Sequence, residues 1–248
     1  MDACLYETVY RGLTVESDVR GLSMKYGIDV DTTKVMLHQK IVRETMHHHH
    51  AIKNKAIALK KQWKEGKTIL EIAKNVNFTP VMTAWLILEQ EGISRSYFRA
   101  LLKNPNAIKD ARLRKDILVA VKRDIVYSPG AIASQVERSR MVEDCVRRWL
   151  AERSVSFIDE QEGKQRKQAK TPDFLLKKPL AFGSDKLHWV ECKASFGDLV
   201  EVRRDYTKQI RHYVTLYGTG MAVYWYGIVD GMALPGVTLV TREMFEKH

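Results

Sequence analysis

Residues 171–198, TPDFLLKKPLAFGSDKLHWVECKASFGD, determine the fold that we predict for this 248-residue chain. The stretch contains two segments rich in aliphatic, aromatic and β-branched side chains, at Phe174–Leu180 and at Leu187–Ala194. A cluster of turn-forming residues, Gly183-Ser184-Asp185, separates them. This pattern predicts a β-hairpin.

The hairpin gathers charged side chains at one end. Side chains alternate between the two faces of a strand, so Glu191 and Lys193 point one way and Cys192 the other. Counting back from the turn places Asp173 opposite about Ala194, within a residue or two. We therefore expect Asp173, Glu191 and Lys193 to lie together.

Two carboxylates and a lysine suit the hydrolysis of phosphodiester bonds. The carboxylates of Asp173 and Glu191 provide the oxygen ligands that Mg²⁺ (or Mn²⁺) requires, and the main-chain carbonyl of Cys192 is a further candidate ligand. Lys193 would position the attacking water or stabilise charge in the transition state. The same short pattern also arises from a structural Glu191–Lys193 salt bridge on an exposed sheet face, and that alternative stays open.

Three further residues extend this candidate site. Gln209 and Tyr213 lie four residues apart in a predicted helix and therefore share a face, where they could orient the lysine or a substrate phosphate. Glu143, on a helix that precedes the strands, is a candidate third metal ligand. Each has a structural alternative: a solvated Gln209, a core Tyr213 and a surface Glu143.

The rest of the C-terminal half predicts a mixed sheet flanked by helices. The predicted helices span 139–152 and 199–217, and the additional strands span 155–158, 221–229 and 237–241. A polar, basic loop at 163–170 precedes the hairpin. This order of elements indicates an α/β domain.

The N-terminal half reads as helical, with two helix-turn-helix patterns. The first spans 17–43, turns near Gly27 and has its second helix opened by Asp31, Thr32 or Thr33. The second spans 69–90, with Asn77 in the turn and Thr79-Pro80 at the start of its second helix. The second helix of the first pattern carries several cations, whereas residues 81–90 contain no Lys or Arg. We expect the later helix to pack rather than to read DNA; a plain helical bundle is the alternative.

Two basic stretches and four consecutive histidines complete the helical half. Residues 51–67 and 103–123 are rich in Lys and Arg, and His47–His50 would point around a helix rather than towards one metal. Pro129-Gly130 marks a boundary. We therefore expect three regions: a helix-turn-helix-like region at 1–50, a second helical region at 51–130 and the α/β domain at 131–248.

Composition narrows the class of partner. The formal net charge of +11 favours a polyanionic partner, so we expect nucleic acid. No apolar run is long enough for a membrane helix, so we expect no membrane association. The three cysteines form no CxxC pair, and residues 1–13 do not resemble a secretory signal, which together favour an intracellular location. The candidate phosphate contacts, each of which could instead be a solvated surface residue, are Lys34, Arg43, Lys164, Arg166, Lys167, Lys170, Arg203 and Arg204.

The order Glu143, Pro172-Asp173, Glu191-x-Lys193 and Gln209-x-x-x-Tyr213 resembles the PD-(D/E)xK nucleases. The strings TPDF at 171–174, HWVECKASFGD at 188–198 and YWYG at 224–227 are similar to its TPD-motif family, which includes codanin-interacting nucleases of animals and archaeal members. The resemblance implies a restriction-endonuclease-like core, a divalent metal, and Asp173, Glu191 and Lys193 as catalytic residues. Cys192 departs from the serine of the animal proteins, but its side chain is expected to face away from the site.

From these observations we expect a metal-dependent nuclease that docks DNA, rather than RNA, on helical N-terminal domains. The alternatives are a catalytically silent helix-turn-helix binding or interaction protein, and a resolvase of branched DNA. A monomer and a homodimer are both open, and a codanin-like partner would follow only for an animal protein. We expect an archaeal source and a cytoplasmic location; a eukaryotic protein would be nuclear.

Overall fold

The computed structural model describes residues 1–165 and 170–246, apart from the side chain of Lys164. The chain forms two compact units. One contains Met1–Leu37 and Glu137–His248, and the other contains His38–Val136. The first two helices thus belong to the unit that contains the sheet, and the three regions at 1–50, 51–130 and 131–248 stay a prediction.

The helices are named in chain order. They are α1 Ala3–Gly12, α2 Asp18–Tyr26, α3 Val30–Lys53, α4 Ala56–Lys64, α5 Ile69–Asn75, α6 Pro80–Glu89, α7 Arg95–Lys103, α8 Ala111–Arg123, α9 Pro129–Glu152, α10 Glu160–Gln165, α11 Leu199–Asp205 and α12 Arg211–Tyr217. A π-helical segment, Tyr206–Ile210, joins α11 to α12. Short 3₁₀ turns span Pro105–Ala107 and Arg242–Met244.

Within residues 1–165 and 170–246, five strands form one mixed sheet in the order β1-β2-β3-β4-β5. They are β1 Phe157–Asp159, β2 Phe174–Phe182, β3 Asp185–Lys193, β4 Gly220–Tyr224 and β5 Val237–Val240. The first three pair antiparallel, whereas β3, β4 and β5 pair parallel. The predicted class, a helical N-terminal region followed by an α/β domain with a central mixed sheet, is confirmed.

The register of the hairpin corrects the predicted position of Asp173. Near the turn, Leu180 faces Leu187, and that register extended along β2 would place Asp173 opposite Ala194. The register shifts between Leu175 and Leu180, so that Phe174 instead faces Val190. Pro179 lies in this interval and has no N–H to donate to the ladder. Asp173 therefore lies beside Glu191, three residues from the predicted Ala194.

Several predicted limits of elements also change. The last helix before the sheet begins at Pro129 rather than near Ser139, because proline is well suited to the first helical position. The strand predicted at 221–229 ends at Tyr224, and Gly227 turns the chain with a φ of +101°. The cap of α3 is Asp29, whose Oδ1 accepts a hydrogen bond of 2.9 Å from the Thr32 amide, rather than Asp31, Thr32 or Thr33.

The helical unit has its own core, centred on α6. The predicted turn forms between α5 and α6, with Asn77 at a φ of +49° and Pro80 at the first position of α6. Buried residues cover most of α6, and they are Val81, Thr83, Ala84, Trp85, Leu86, Ile87 and Leu88. This helix packs within the unit, as its lack of cations suggested.

In the sheet-containing unit, α1 packs against the loop that follows β3. The Tyr6 ring stacks on Phe196, with centroids 5.5 Å apart, and its hydroxyl donates to Asp198 Oδ2 at 2.6 Å. Asp198 also caps α11 by accepting a hydrogen bond from the Glu201 amide. The N-terminal helix thus supports the turn that leads from β3 into α11. No helix within 1–165 and 170–246 is long and apolar enough to span a membrane.

Candidate active site

The site forms where the start of β2 meets the end of β3. Asp173 directly precedes β2, and its Oδ2 accepts a hydrogen bond of 2.7 Å from the main-chain amide of Cys192. This bond fixes the Asp173 carboxylate beside the Glu-x-Lys segment. The structure therefore brings together the two carboxylates and the lysine that the sequence singled out.

Glu191 and Lys193 form a buried ion pair. The distance between Lys193 Nζ and Glu191 Oε1 is 2.7 Å. Only 4% of the Glu191 side chain and 17% of the Lys193 side chain are exposed. Because surface ion pairs lie in water, this burial excludes the alternative of a salt bridge on an exposed sheet face.

A chain of hydrogen bonds connects the lysine to the segment before β2. Lys193 Nζ donates to Gln209 Oε1 at 2.7 Å, and Gln209 Nε2 donates to the Tyr213 hydroxyl at 2.7 Å. The Tyr213 hydroxyl in turn donates to the main-chain carbonyl of Thr171 at 2.9 Å. Both the oxygen and the nitrogen of the Gln209 amide therefore form hydrogen bonds. Tyr213 is a core residue and also belongs to the site.

Burial and like charges shift the titration of the site. Burial, together with the charge of Asp173, raises the pKa of Glu191 to about 8. Burial lowers the pKa of Lys193, but the nearby carboxylates of Glu191, Asp205 and Asp173 together outweigh burial, so that the pKa of Lys193 is raised overall. Lys193 is therefore held as an ammonium, whereas the charged form of Glu191 is costly.

Glu143 belongs to the same electrostatic environment. Its pKa is raised, first by burial and then by the charge of Asp173. Among residues 1–165 and 170–246, however, no group of three or more His, Cys, Asp or Glu is arranged to hold a metal ion. Glu143 thus lies near Asp173 without completing a three-residue metal site in this structure.

One atom of the site has an unmet requirement. Within the described part of the chain, Glu191 Oε2 is buried and has no hydrogen-bond partner. A buried carboxylate oxygen without a partner is costly unless another group satisfies it. A divalent cation is a group of the right charge to do so.

Cys192 serves the site through its main chain. Its amide holds Asp173, and the residue pairs with Val223 of the neighbouring strand. Burial raises the pKa of the Cys192 thiol, which therefore stays protonated at neutral pH.

The structure adds supporting residues that the sequence analysis missed. Tyr217 donates from its hydroxyl to the Lys170 carbonyl at 2.6 Å, so two tyrosines of α12 hold the segment that leads into β2. Asp205 is buried, accepts a hydrogen bond of 3.2 Å from the Tyr224 hydroxyl and contributes to the raised pKa of Lys193. The contact of Tyr217 could have been predicted, because Tyr213 and Tyr217 lie four residues apart and share a face of the helix. No comparable pattern in the sequence indicated a role for Asp205.

The predicted phosphate contacts have varied surroundings. Arg203 is exposed, whereas Arg204 is bound to the carboxylates of Glu201 and Asp205. Lys34 and Arg43 are half-buried in α3, and Lys170 is exposed. Arg166, Lys167 and the side chain of Lys164 lie outside the described residues.

Comparison with known proteins gives a consistent result. The family described as "Protein of unknown function TPD sequence-motif" matches residues 109–244, more than half of the chain. The chain is 31% identical over 169 residues to the proteins named "CDAN1-interacting nuclease 1" of Bos taurus and Homo sapiens, covering 65% of this chain and 60% of each relative. The Danio rerio protein of that name is 30% identical over 206 residues, covering 78% of this chain and 69% of its own length. No solved structure matches the chain.

Proposed function

This chain belongs to the TPD sequence-motif family, and on that premise we propose that it is a metal-dependent nuclease that hydrolyses DNA. The name of the curated relatives includes the word nuclease, and the chain spans 60% of the length of two of them. The observation that carries the proposal is the buried Glu191 Oε2, which lacks a partner beside Asp173 and the Lys193 ammonium.

Asp173 and Glu191 would hold Mg²⁺ or Mn²⁺, with the Cys192 carbonyl and Glu143 as additional candidate ligands. Mg²⁺ commonly binds through one or two carboxylates and keeps several waters or substrate phosphate oxygens, so a three-residue protein cage is not required. When bound, the cation would activate water and offset charge at the scissile phosphate. It would also satisfy the orphan oxygen of Glu191.

Lys193 would act on the substrate directly. Its ammonium is held by Glu191 and Gln209, which leaves one of its three N–H donors for a water or a phosphate oxygen. A fixed cation stabilises the negative charge that develops on a phosphate in the transition state, because little reorganisation is needed during the reaction. Gln209 and Tyr213 act through Lys193 and are positioning residues in this scheme.

The preference for DNA rests on the helical half and on charge. A net charge of +11 favours a polyanionic substrate. The first helix-turn-helix pattern, whose second helix carries several cations, is typical of proteins that bind duplex DNA. Cleavage of a labelled panel would test substrate and reaction together. The panel contains single-stranded, duplex, flapped and four-way DNA, and a single-stranded RNA, with Mg²⁺, Mn²⁺ or EDTA.

The matched variants are Glu191→Gln, Lys193→Ala and the control Lys186→Ala. Lys186 lies on the same strand as Lys193 but is exposed. We expect metal-dependent cutting of DNA that both site variants abolish and the control retains. Cutting that survives Lys193→Ala, or an intact protein that binds DNA without cutting any member of the panel, would overturn the proposal.

A further inference from the structure

Helix α7 carries three cations in one stripe. Arg95, Arg99 and Lys103 are spaced at i, i+4 and i+8 within Arg95–Lys103. With 3.6 residues per turn, they span about 80° of the helix circumference. A rise of 1.5 Å per residue separates successive cations by about 6 Å along the axis.

The apolar side of α7 borders this stripe and fixes its direction. Phe98, Leu101 and Leu102 are buried in the core of the helical unit. The Ser94 side chain caps the helix by accepting a hydrogen bond from the Tyr97 amide. The three cations are exposed, and so are the small residues Ser96 and Ala100 beside them.

The positive charge of the stripe is not neutralised locally. Helix α7 contains no acidic residue, and within the described chain none of its three cations forms an ion pair. The Arg95 guanidinium lies over the Trp85 ring, 5.6 Å from its centroid, which orders the side chain and leaves its charge in place.

The lysines of α4 behave differently. Lys60 and Lys64 each lie 3.1 Å from a carboxylate oxygen of Glu91, and Lys61 lies 3.8 Å from Glu65. A cation that already has a carboxylate partner gains less from a phosphate, because the existing pair must first be broken. The exposed faces of α4 and α7 are therefore both rich in cations. The cations of α4 already have carboxylate partners, whereas those of α7 form no ion pair within the described residues.

We infer that the exposed face of α7 docks the phosphate backbone of duplex DNA. The inference deepens the proposed function by naming a substrate-docking surface of the helical unit. Helix α6, the second helix of the helix-turn-helix pattern, is too buried to enter a groove, whereas α7 follows it directly and presents unpaired cations. Ser96 and Ala100 leave room for a close approach, and Tyr97, with 55% of its surface exposed, lies at the other edge of the face.

Fluorescence anisotropy of the full chain with a short labelled duplex would test this surface. Measurements in EDTA across a series of KCl concentrations separate binding from any cleavage. The test variant is Arg95→Gln/Arg99→Gln/Lys103→Gln. The matched control, Lys61→Gln/Lys64→Gln/Lys67→Gln, removes the same number of charges from the ion-paired and amide-bonded lysines around α4.

For three lost phosphate contacts, the slope of log K against log salt should become less negative by about 2.7. The affinity at 0.1 M salt should fall by at least about tenfold. The control should retain most of its affinity and slope. A third variant, Arg95→Lys/Arg99→Lys, keeps the charge and should keep the slope, which separates a loss of charge from a loss of folding.

An unchanged slope in the α7 variant, or an equal loss in the α4 control, would overturn the inference. The inference would also be overturned if the α7 variant lost affinity for a polyglutamate peptide as strongly as for DNA, since that result would indicate a surface that binds acidic proteins. The outcome is independent of the active site. DNA binding that depends on α7 in a protein that never cuts would sustain this surface and refute the nuclease, and cutting without any contribution from α7 would do the reverse.

Discussion

Gln209 Oε1 accepts a hydrogen bond of 2.7 Å from the Lys193 ammonium. Gln209 belongs to the π-helical segment Tyr206–Ile210, and Lys193 is the last residue of β3. Segments of this kind are frequent at functional sites. The amide also binds Tyr213, so the position of the ammonium is coupled to the segment that precedes β2.

Removing this amide should slow cleavage without weakening the binding of DNA. In Gln209→Leu, Lys193 keeps its charge but loses one of the two groups that hold it. A misplacement of about 1 Å can reduce a catalysed rate by on the order of 10²-fold. Single-turnover cleavage in Mg²⁺ measures the rate, and anisotropy in EDTA measures binding. Gln209→Glu, which keeps an acceptor for Lys193, should recover part of the rate; a fully active Gln209→Leu would show that the amide does not position the lysine.

The buried Glu191 should make the metal-free protein less stable as pH rises. Its pKa is raised to about 8, above the ordinary value of 4.5, so folding favours the protonated carboxyl. The stabilisation is fully present below the unfolded pKa and is lost as pH rises through about 8. Thermal unfolding in EDTA between about pH 5 and about pH 9 should therefore show the wild type losing stability relative to Glu191→Gln. Glu16→Gln, at an exposed residue, is the control. Parallel pH profiles for the wild type and Glu191→Gln would contradict the expectation.

Gly220 has a steric role beneath Trp189. A Cβ at this position would lie 2.0 Å from Trp189 Cε2, and the Trp189 ring packs on Tyr213 with centroids 5.4 Å apart. Gly220→Ala should therefore destabilise the protein by about 1–3 kcal/mol or more through overpacking. Chemical denaturation measures the change. Gly21→Ala provides the contrast, because Gly21 lies on an exposed part of α2 with open space around it, and alanine there should stabilise by about 0.5–1 kcal/mol.

Asp124 should be important for the stability of the helical unit. It is buried, and it accepts hydrogen bonds from the amides of Val81, Val126 and Tyr127. It thereby caps α6 from a distant part of the chain. Asp124→Ala should cost roughly 2–3 kcal/mol, since it leaves buried amides without partners. Asp110→Ala, at the exposed cap of α8, should cost only about 1 kcal/mol; equal losses would show that burial of the Asp124 contacts contributes nothing extra.

The sequence was sufficient to predict that the candidate carboxylates, lysine, glutamine and tyrosine lie close together, but not all of their positions. Alternation along β3 places Glu191 and Lys193 on one face, and the i, i+4 spacing brings Gln209 to Tyr213, because both relations are local. The position of Asp173 depends on the register shift between Leu175 and Leu180, which has no unique sequence signal apart from Pro179. Counting from the turn therefore placed it three residues away from Glu191, opposite Ala194.

Contacts between distant segments were the other part that the sequence did not predict. Asp29 caps α3 and also lies 3.5 Å from Arg242, whereas local preference had pointed to the next few polar residues. Asp124 likewise caps α6, although Thr79 is the residue that directly precedes it. Several side chains are suitable caps in isolation, and the tertiary contact decides which of them is used.

Mg²⁺ should stabilise the folded protein through the same two carboxylates that are proposed to bind it. A ligand that binds only the native state stabilises it by about 2.7 kcal/mol at a free concentration of 100 Kd. Thermal unfolding with increasing Mg²⁺ should show this increase in stability for the wild type and a much smaller increase for Asp173→Asn. Asparagine can still accept the Cys192 amide, so the substitution removes charge and keeps the local hydrogen bond.

Asp185→Asn, at the exposed start of β3, removes one carboxylate away from the site and should respond like the wild type. If Asp173→Asn responds to Mg²⁺ as strongly as Asp185→Asn does, the cation binds elsewhere, and Asp173 must be removed from the proposed metal site.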